Sequence, residues 1–319
     1  MELISLAKNP VPSGAVVGAV AGYDGNLLRY ARWPATRGPR RGTICLFQGR
    51  AEFIEKYFET IADLRRRGFA VIALDWRGQG GSHRALPNYR KGHIESFSEY
   101  DKDIRKFMRD IVLPDCPPPY HALAHSMGGN IMLRQAIMTN SWFERMILVA
   151  PMIKLSDDKV RYPHALVRGY TEGASLAGLS SSYVYGGTDA FEQTASFEGN
   201  ELTSDPERWV RSKAVLEVAP HLGLGSPTVG WLRSAFRSCA MLADPDFARQ
   251  ITVPILLVAA GEDAIVSSRA IEEFGVRLKI GNHLLIPGSR HEILQENDKI
   301  RQRFWAAFDG YLGVESIAA

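Results

Sequence analysis

Three short segments, far apart in the chain, carry side chains that together could cleave an acyl bond. The first reads Ala124-His125-Ser126-Met127-Gly128-Gly129. It follows an apolar run and opens a helix-period stretch, so Ser126 stands in a sharp strand-to-helix turn that lifts its hydroxyl above the edge of a sheet. Gly128 and Gly129 leave room on the helix side, while Ala124 adds one methyl group where this kind of turn usually has glycine. A hydroxyl is a weak nucleophile until a base takes its proton, and near neutrality that base is a histidine oriented by a carboxylate. The second segment, Ala260-Gly261-Glu262-Asp263, ends a later apolar run and supplies Asp263. Glu262 is the alternative, but the strand-end position and shorter side chain favour Asp263. The third, Pro287-Gly288-Ser289-Arg290-His291-Glu292, follows a short final strand and supplies His291. A serine in a glycine-rich turn can equally be a helix cap. Three complementary roles on three strand ends make the set chemical, and the order serine, acid, histidine is one that such relays adopt.

A tetrahedral intermediate also needs donors where its negative oxygen forms. The amide of Met127, directly after the nucleophile, is one candidate. The loop Gln48-Gly49-Arg50, after the first central strand, offers the Arg50 amide as the second, with Gly49 permitting a tight turn. The Arg50 side chain is a candidate contact for an anionic headgroup; its alternative is a surface arginine. The other histidines fit less well. His125 should point away from the nucleophile by strand alternation, His121 reads as a hydrogen-bonded core or edge residue, and His283 begins a strand rather than following one.

Positioning such a set requires strands that end together. Five apolar runs read as strands covered on both faces: Thr43 to Phe47, Phe69 to Leu74, Tyr120 to Ala124, Met146 to Ala150 and Ile255 to Ala259, with a shorter one at His283 to Ile286. Helix-period stretches separate them, at Glu52 to Arg67, Ser96 to Leu113, Met127 to Thr139, Ser267 to Phe274 and Gln295 to Phe308. This alternation predicts an α/β fold with a mostly parallel central sheet and helices on both faces. In the second helix, Phe97, Tyr100, Ile104, Phe107 and Ile111 form the buried stripe, and Asp101, Lys102, Asp103, Arg105 and Lys106 fall on the rest of the surface. Ser96 and Glu99 are spaced as a capping box, and Pro114 should stop the helix. Gly18 to Trp33 reads as antiparallel edge strands. From Lys154 to Ser226 the rhythm disappears, but Tyr162, Tyr170, Tyr183, Tyr185, Phe191, Phe197 and Trp209 argue for an inserted lid rather than a linker. The expected division is a core of 1–153 and 227–319 with a cap of 154–226.

The composition of the 319-residue chain, 45% hydrophobic and 23% charged, is that of a globular protein. Its 38 basic against 35 acidic residues leave +3, too little to argue for nucleic acid as substrate. The clusters Arg37, Arg40, Arg41 and Arg65, Arg66, Arg67 would attract anionic surfaces or simply be solvated. Three cysteines without a CxxC pair suit a reducing compartment. With no signal-like N-terminal run and no stretch of membrane-span length, the expectation is a cytoplasmic protein, with peripheral contact at the inner membrane face left open. No HExxH or paired His/Cys spacing points to a metal. Asp75 to Ser82 contains GxG but lacks the final glycine of a dinucleotide motif and reads as a structural loop tied by Asp75 and Arg77. No cofactor is required by the proposed chemistry.

The segments GTICLFQGRAEFIEKYFETIADLRRRGFAVIALDWRGQGGSHR, AHSMGG, GEDAIV and GSRHEIL together resemble the serine hydrolases of the α/β-hydrolase fold. Within these they look like the lysophospholipase L2 and monoacylglycerol lipase-like group, over about residues 40 to 151 and 251 to 310. The resemblance carries the nucleophile onto Ser126, the acid onto Asp263 and the base onto His291, with Met127 and Arg50 at the oxyanion and Gln48, Gly49 and Gly128 supporting it. Gln48-Gly49 stands where histidine-glycine is common in this fold. It implies an amphipathic acyl-ester substrate, foremost a lysophospholipid, with its acyl chain beneath the cap. A monoacylglycerol, a general carboxylic ester and a peptide cleaved by the same fold are the alternatives. A peptidase would need cap carboxylates, such as Asp157, Asp158 or Glu172, to grip an amine. A non-catalytic lipid-binding protein is the reading from another class, and oligomeric state is not legible.

Overall fold

The computed structural model describes residues 2–157, 160, 162–191 and 196–315. Two N-terminal strands, β1 (Val16–Ala21) and β2 (Leu27–Trp33), precede the central strands β3 (Thr43–Phe47), β4 (Ala70–Leu74), β5 (Tyr120–His125), β6 (Phe143–Val149), β7 (Ile255–Ala260) and β8 (Gly281–Ile286). They form one sheet in the order β1-β2-β4-β3-β5-β6-β7-β8. β1 and β2 are antiparallel, β2 joins β4 antiparallel, and every later pairing is parallel.

The central runs are continuously apolar because both faces are covered. Ile44, Leu46, Val71, Leu123, Ile147 and Val258 face helices α1 (Phe58–Arg66) and α10 (Asp298–Leu312) through Ile61, Leu64, Phe304 and Phe308. Cys45, Phe47, Ile72, Ala122, Leu148 and Leu257 face the opposite layer, drawn from α2 (Ser98–Phe107), α4 (Met127–Ala136), α7 (Val229–Ala243) and α9 (Ser268–Arg277). Fully burying each large apolar side chain contributes about 1.5–3 kcal/mol, so this double covering is what fixes the sheet.

Helix α2 buries Phe97, Tyr100, Ile104 and Phe107 as predicted, but Asp101 and Asp103 are buried as well. Each is paired: Asp101 with Arg134 and Gln135, Asp103 with Arg77. Half of the predicted capping box forms, since the Glu99 carboxylate accepts the Ser96 amide while the Ser96 hydroxyl accepts the amide of Ser98. Pro114 does not stop the helix. The turn widens to π geometry over Met108–Val112 before the proline, which lies within a short α3 (Leu113–Asp115). The Arg65 to Arg67 cluster is likewise not plain solvated surface: Arg65 donates to the Pro34 carbonyl, and Arg67 pairs with Asp309 over the Trp305 ring. His121 packs edge-on against Phe69, and its Nδ1 has no hydrogen-bond partner among the described residues, contrary to the expectation.

Between β6 and β7 the chain leaves the sheet and forms α5 (His164–Leu176) and α6 (Pro206–Val218), then α7 and a short α8 (Phe247–Gln250). Sequence periodicity missed α5 and α6 because each buries few side chains; α7 was also not predicted, although its buried Trp231, Ala235, Ser238 and Leu242 fall at helical spacing. Among the described residues no helix is long and apolar enough to cross a membrane.

Candidate active site

The register of the parallel strands explains why distant segments meet. Phe47 at the end of β3 pairs with Ala124 on β5, His125 with Val149 on β6, and Ala260 on β7 with Ile286 on β8. The loops after β3, β5, β7 and β8 therefore emerge at one edge.

After β5 the chain turns through Ser126 at φ 51°, ψ −114°, a conformation unusual for a residue with a side chain, and enters α4 at once. The turn is held from three sides. The Ser126 amide donates to Val149 O at 3.0 Å, and its carbonyl accepts from Asn130 N at 3.1 Å and Met152 N at 2.9 Å. A side chain at Gly128 would place Cβ 2.6 Å from the carbonyl oxygens of Phe47 and Gln48, so only glycine lets the helix approach the end of β3. Ala124, by contrast, is fully buried without hindering the turn.

His291 Nε2 lies 2.9 Å from Ser126 Oγ, and His291 Nδ1 lies 2.8 Å from Asp263 Oδ2. The second carboxylate oxygen of Asp263 accepts the amides of Ile265 and Val266 at 2.9 and 3.0 Å. Burial opposes charge on Asp263, but His291 and these two amides outweigh it and hold the carboxyl below its usual range. Glu262 is exposed and its amide bonds to Ser289 O; it takes no part in the relay. His283 sits exposed within β8.

Gln48, Gly49 and Arg50 adjoin the serine from the β3 side. Gln48 is buried, its carbonyl accepting from Trp76 Nε1 at 2.8 Å and its amide group reaching Asp75 at 3.3 Å. A Cβ at Gly49 would fall 2.9 Å from His125 and 3.2 Å from Ser126 Cβ, which explains the need for glycine there. The Gly49 amide donates to Glu52 and its carbonyl accepts from Gln79. Met127 begins α4, and the first amides of a helix have no intrahelical acceptor. Asp75 ties its loop down as predicted, accepting from the Ile54 and Gly81 amides and pairing with Arg29.

Above Ser126 and His291 lies a cavity of about 370 Å³. One wall is apolar, made by Met152, Leu155, Leu232, Ile265 and Val266, and the cap contributes Val184 and Tyr185. Arg50 also lines it; its guanidinium donates to Gly225 O at 2.7 Å and lies over the Trp231 ring.

Sequence reasoning missed a second polar group behind the relay. His125 does not point away: its ring lies 4.8 Å from that of His291, with Nε2 3.1 Å from the His291 carbonyl oxygen and Nδ1 3.1 Å from Glu52 Oε2. Lys56 Nζ pairs with Glu52 at 3.0 Å and Glu292 at 2.5 Å, and Tyr57 donates to Glu52 at 2.6 Å. The available signal was the run Ala51-Glu52-Phe53-Ile54-Glu55-Lys56-Tyr57-Phe58, where charges interrupt an otherwise apolar stretch and are all buried. Among the described residues no group of histidine, cysteine, aspartate and glutamate could hold a metal ion.

Comparison with known proteins completes the picture. The model of the family described as serine aminopeptidase, S33, matches residues 38–298. Lysophospholipase L2 of Escherichia coli strain K12 is 30% identical over 88% of this chain and 82% of its own length. The monoacylglycerol lipase of Mycolicibacterium smegmatis is 26% identical over 88% of this chain and 91% of that protein. Among solved structures, a soluble variant of the Saccharomyces cerevisiae monoglyceride lipase with a substrate analogue superposes with a TM-score of 0.71 at 20% identity, covering 95% of this chain and 97% of that one.

Proposed function

The chain belongs to the serine aminopeptidase S33 family of hydrolases, and from that premise we propose that it hydrolyses lipid esters, foremost lysophospholipids, through an acyl-enzyme on Ser126. The observation that carries this reading is the unbroken relay from Asp263 through His291 to the Ser126 hydroxyl at 2.8 and 2.9 Å, beneath a cavity with an apolar wall. His291 takes the serine proton as Oγ attacks the acyl carbonyl, and Asp263 holds the imidazole and balances its positive form. The amides of Met127 and Arg50 stabilise the oxyanion, with Gln48, Gly49 and Gly128 shaping the loop and elbow that present them. His291 then protonates the leaving alcohol, and water cleaves the acyl-enzyme by the same route. No step requires a cofactor.

The acyl chain lies along Met152, Leu232, Ile265 and Val266, and the head of the substrate lies toward Arg50, a cation on the cavity wall. Support for the lysophospholipid over the monoacylglycerol comes from Arg50 and from the lysophospholipase relatives. Ester rather than peptide cleavage is favoured by the carboxylates. Glu52 and Glu292, which line the cavity, pair with Lys56. Asp157 pairs with Lys154 and Glu172 with Arg237; Asp158 lies outside the described residues. No carboxylate among the cavity-lining residues is left for a substrate amine. We take 154–226 as the cap that selects the acyl chain and the rest as the catalytic core. The cytoplasm, with peripheral access to its membrane face, fits three buried cysteines that form no disulfide.

A release assay comparing lysophosphatidylcholine, monoacylglycerol and short p-nitrophenyl esters tests the substrate class. The expected result is the highest kcat/KM on the lysophospholipid; a higher value on a short neutral ester would reject that assignment.

A further inference from the structure

We propose that His125 is a permanently doubly protonated, buried imidazolium that positions the base His291. Its charge state follows from its partners. Nε2 faces the His291 carbonyl oxygen at 3.1 Å, and a carbonyl can only accept, so Nε2 carries a proton. Nδ1 faces Glu52 Oε2 at 3.1 Å. That oxygen already accepts from the Gly49 amide and the Tyr57 hydroxyl, and the other oxygen of Glu52 is paired with Lys56. These donors hold Glu52 as a carboxylate, which also can only accept, so Nδ1 carries a proton as well.

The charge count agrees. Glu52 and Glu292 contribute two negative charges, and Lys56 and His125 two positive ones, in a cluster whose side chains are each no more than 7% exposed. With a neutral His125 a buried negative charge would be left over, which proteins avoid. Burial alone would strip the proton from His125, but Glu52 and Glu292 outweigh it and lift the ring above the usual histidine range. Glu52 is correspondingly held well below the carboxylate range, burial being outweighed by Lys56 and His125.

The groups facing His125 are Glu52, Lys56 and Tyr57 from the chain after β3, and His291 and Glu292 from the loop after β8; Asp263 stands behind His291. The charged ring lies 4.8 Å from that of His291. His125 also grips the His291 main chain, and Glu52 ties the same ring to the Gly49 amide. The base loop and the oxyanion loop are thereby held to one strut. The charge state stands independently of the proposed hydrolase reading; the catalytic consequence rests on it.

Nitrogen-15 spectra of the histidine rings in the native protein at pH 8.5 test the charge, backed by a neutron map of the same protein to locate the ring deuterons. Expected is one ring with both nitrogens protonated, identified as His125 by the neutron map and by its loss in His125→Gln. A bare nitrogen on His125 at that pH overturns the proposal. For the consequence, His125→Gln keeps a donor toward the His291 carbonyl but removes the cation. With the His291 main chain still held but its charged partner gone, kcat should fall several-fold while KM on the same substrate stays within about twofold. An unchanged kcat, or a loss carried by KM and thermal stability together, would mark His125 as structural only. Failure of the lipid-ester reading would instead appear as absent turnover in the native enzyme, with the imidazolium signal intact.

Discussion

The floor and the roof of the cavity are built on opposite principles. Every proposed catalytic group of the floor hangs from a strand end, and Ser126 and His291 are 7% and 4% exposed. The roof, α5 and the segments flanking it, shows Leu166, Leu176 and Tyr185 to solvent, at 64%, 87% and 93% exposure. Its attachment is uneven. The α6 side is clamped to the core by Arg208 and Arg211, which converge with Arg301 on Glu59, and by Thr203 donating to Gln295 O. The α5 side rests on α7 through Arg237 to Glu172 and Arg233 to Ser175. The contrast teaches that the relay side chains are placed where sheet register leaves little freedom, while the roof over them is held at a few charged contacts and is largely open to solvent.

Breaking the floor should have the largest effect. In Asp263→Asn the side chain can donate to His291 Nδ1, which favours the tautomer with its proton aimed at Ser126. We expect kcat/KM on the best lysophospholipid to fall by about 10⁴-fold with the melting temperature little changed. Steady-state kinetics beside a thermal melt checks this, and a loss of less than tenfold would argue against the relay.

Narrowing the apolar wall below the roof should change selection without touching the chemistry. Leu232→Trp fills part of the proposed acyl slot, and each methylene displaced from an apolar site costs about 0.8 kcal/mol, or roughly fourfold in kcat/KM. Long-chain substrates should lose about tenfold or more while acetyl esters stay within about twofold. Equal losses across a chain-length series would place the acyl chain elsewhere.

The smallest effect should come from loosening the clamp. Burial opposes charge on Glu59, but Arg208, Arg301 and Arg211 outweigh it and hold the carboxyl far below the usual range. A carboxyl depressed on folding adds stability that is fully present above its unfolded value of about 4.3 and fades as pH falls through the folded one. Glu59→Gln should therefore melt about 2–4 °C lower at pH 7, and the gap to the native protein should shrink as pH falls below about 4. A gap that widened in acid would mean that the clamp is not ionic.

The same contrast separates what the sequence made legible from what it hid. The strands Thr43–Phe47 and Ile255–Ala260 read directly, because continuous burial on both faces leaves an unmistakable apolar run. The convergence of Ser126 and Asp263 was legible because each follows such a run, while His291 was placed by the shorter and largely exposed β8 before it. His125 was misread since alternation tells which face a residue leaves by, whereas at a strand end the next loop, here that of His291, can fold under it. Buried charges such as Lys56 gave no periodic signal, because their partners Glu52 and Glu292 lie on two different loops. Helices α5 and α6 were missed for the opposite reason: largely exposed helices need no clean apolar stripe.

The measurement closest to the central claim is covalent labelling of the folded protein with a fluorophosphonate, followed by peptide mass analysis. The account predicts one adduct, on the peptide carrying Ser126, absent from heat-denatured protein and from Ser126→Ala. Folded native protein that stays unlabelled, or that carries its adduct on another residue, would contradict it.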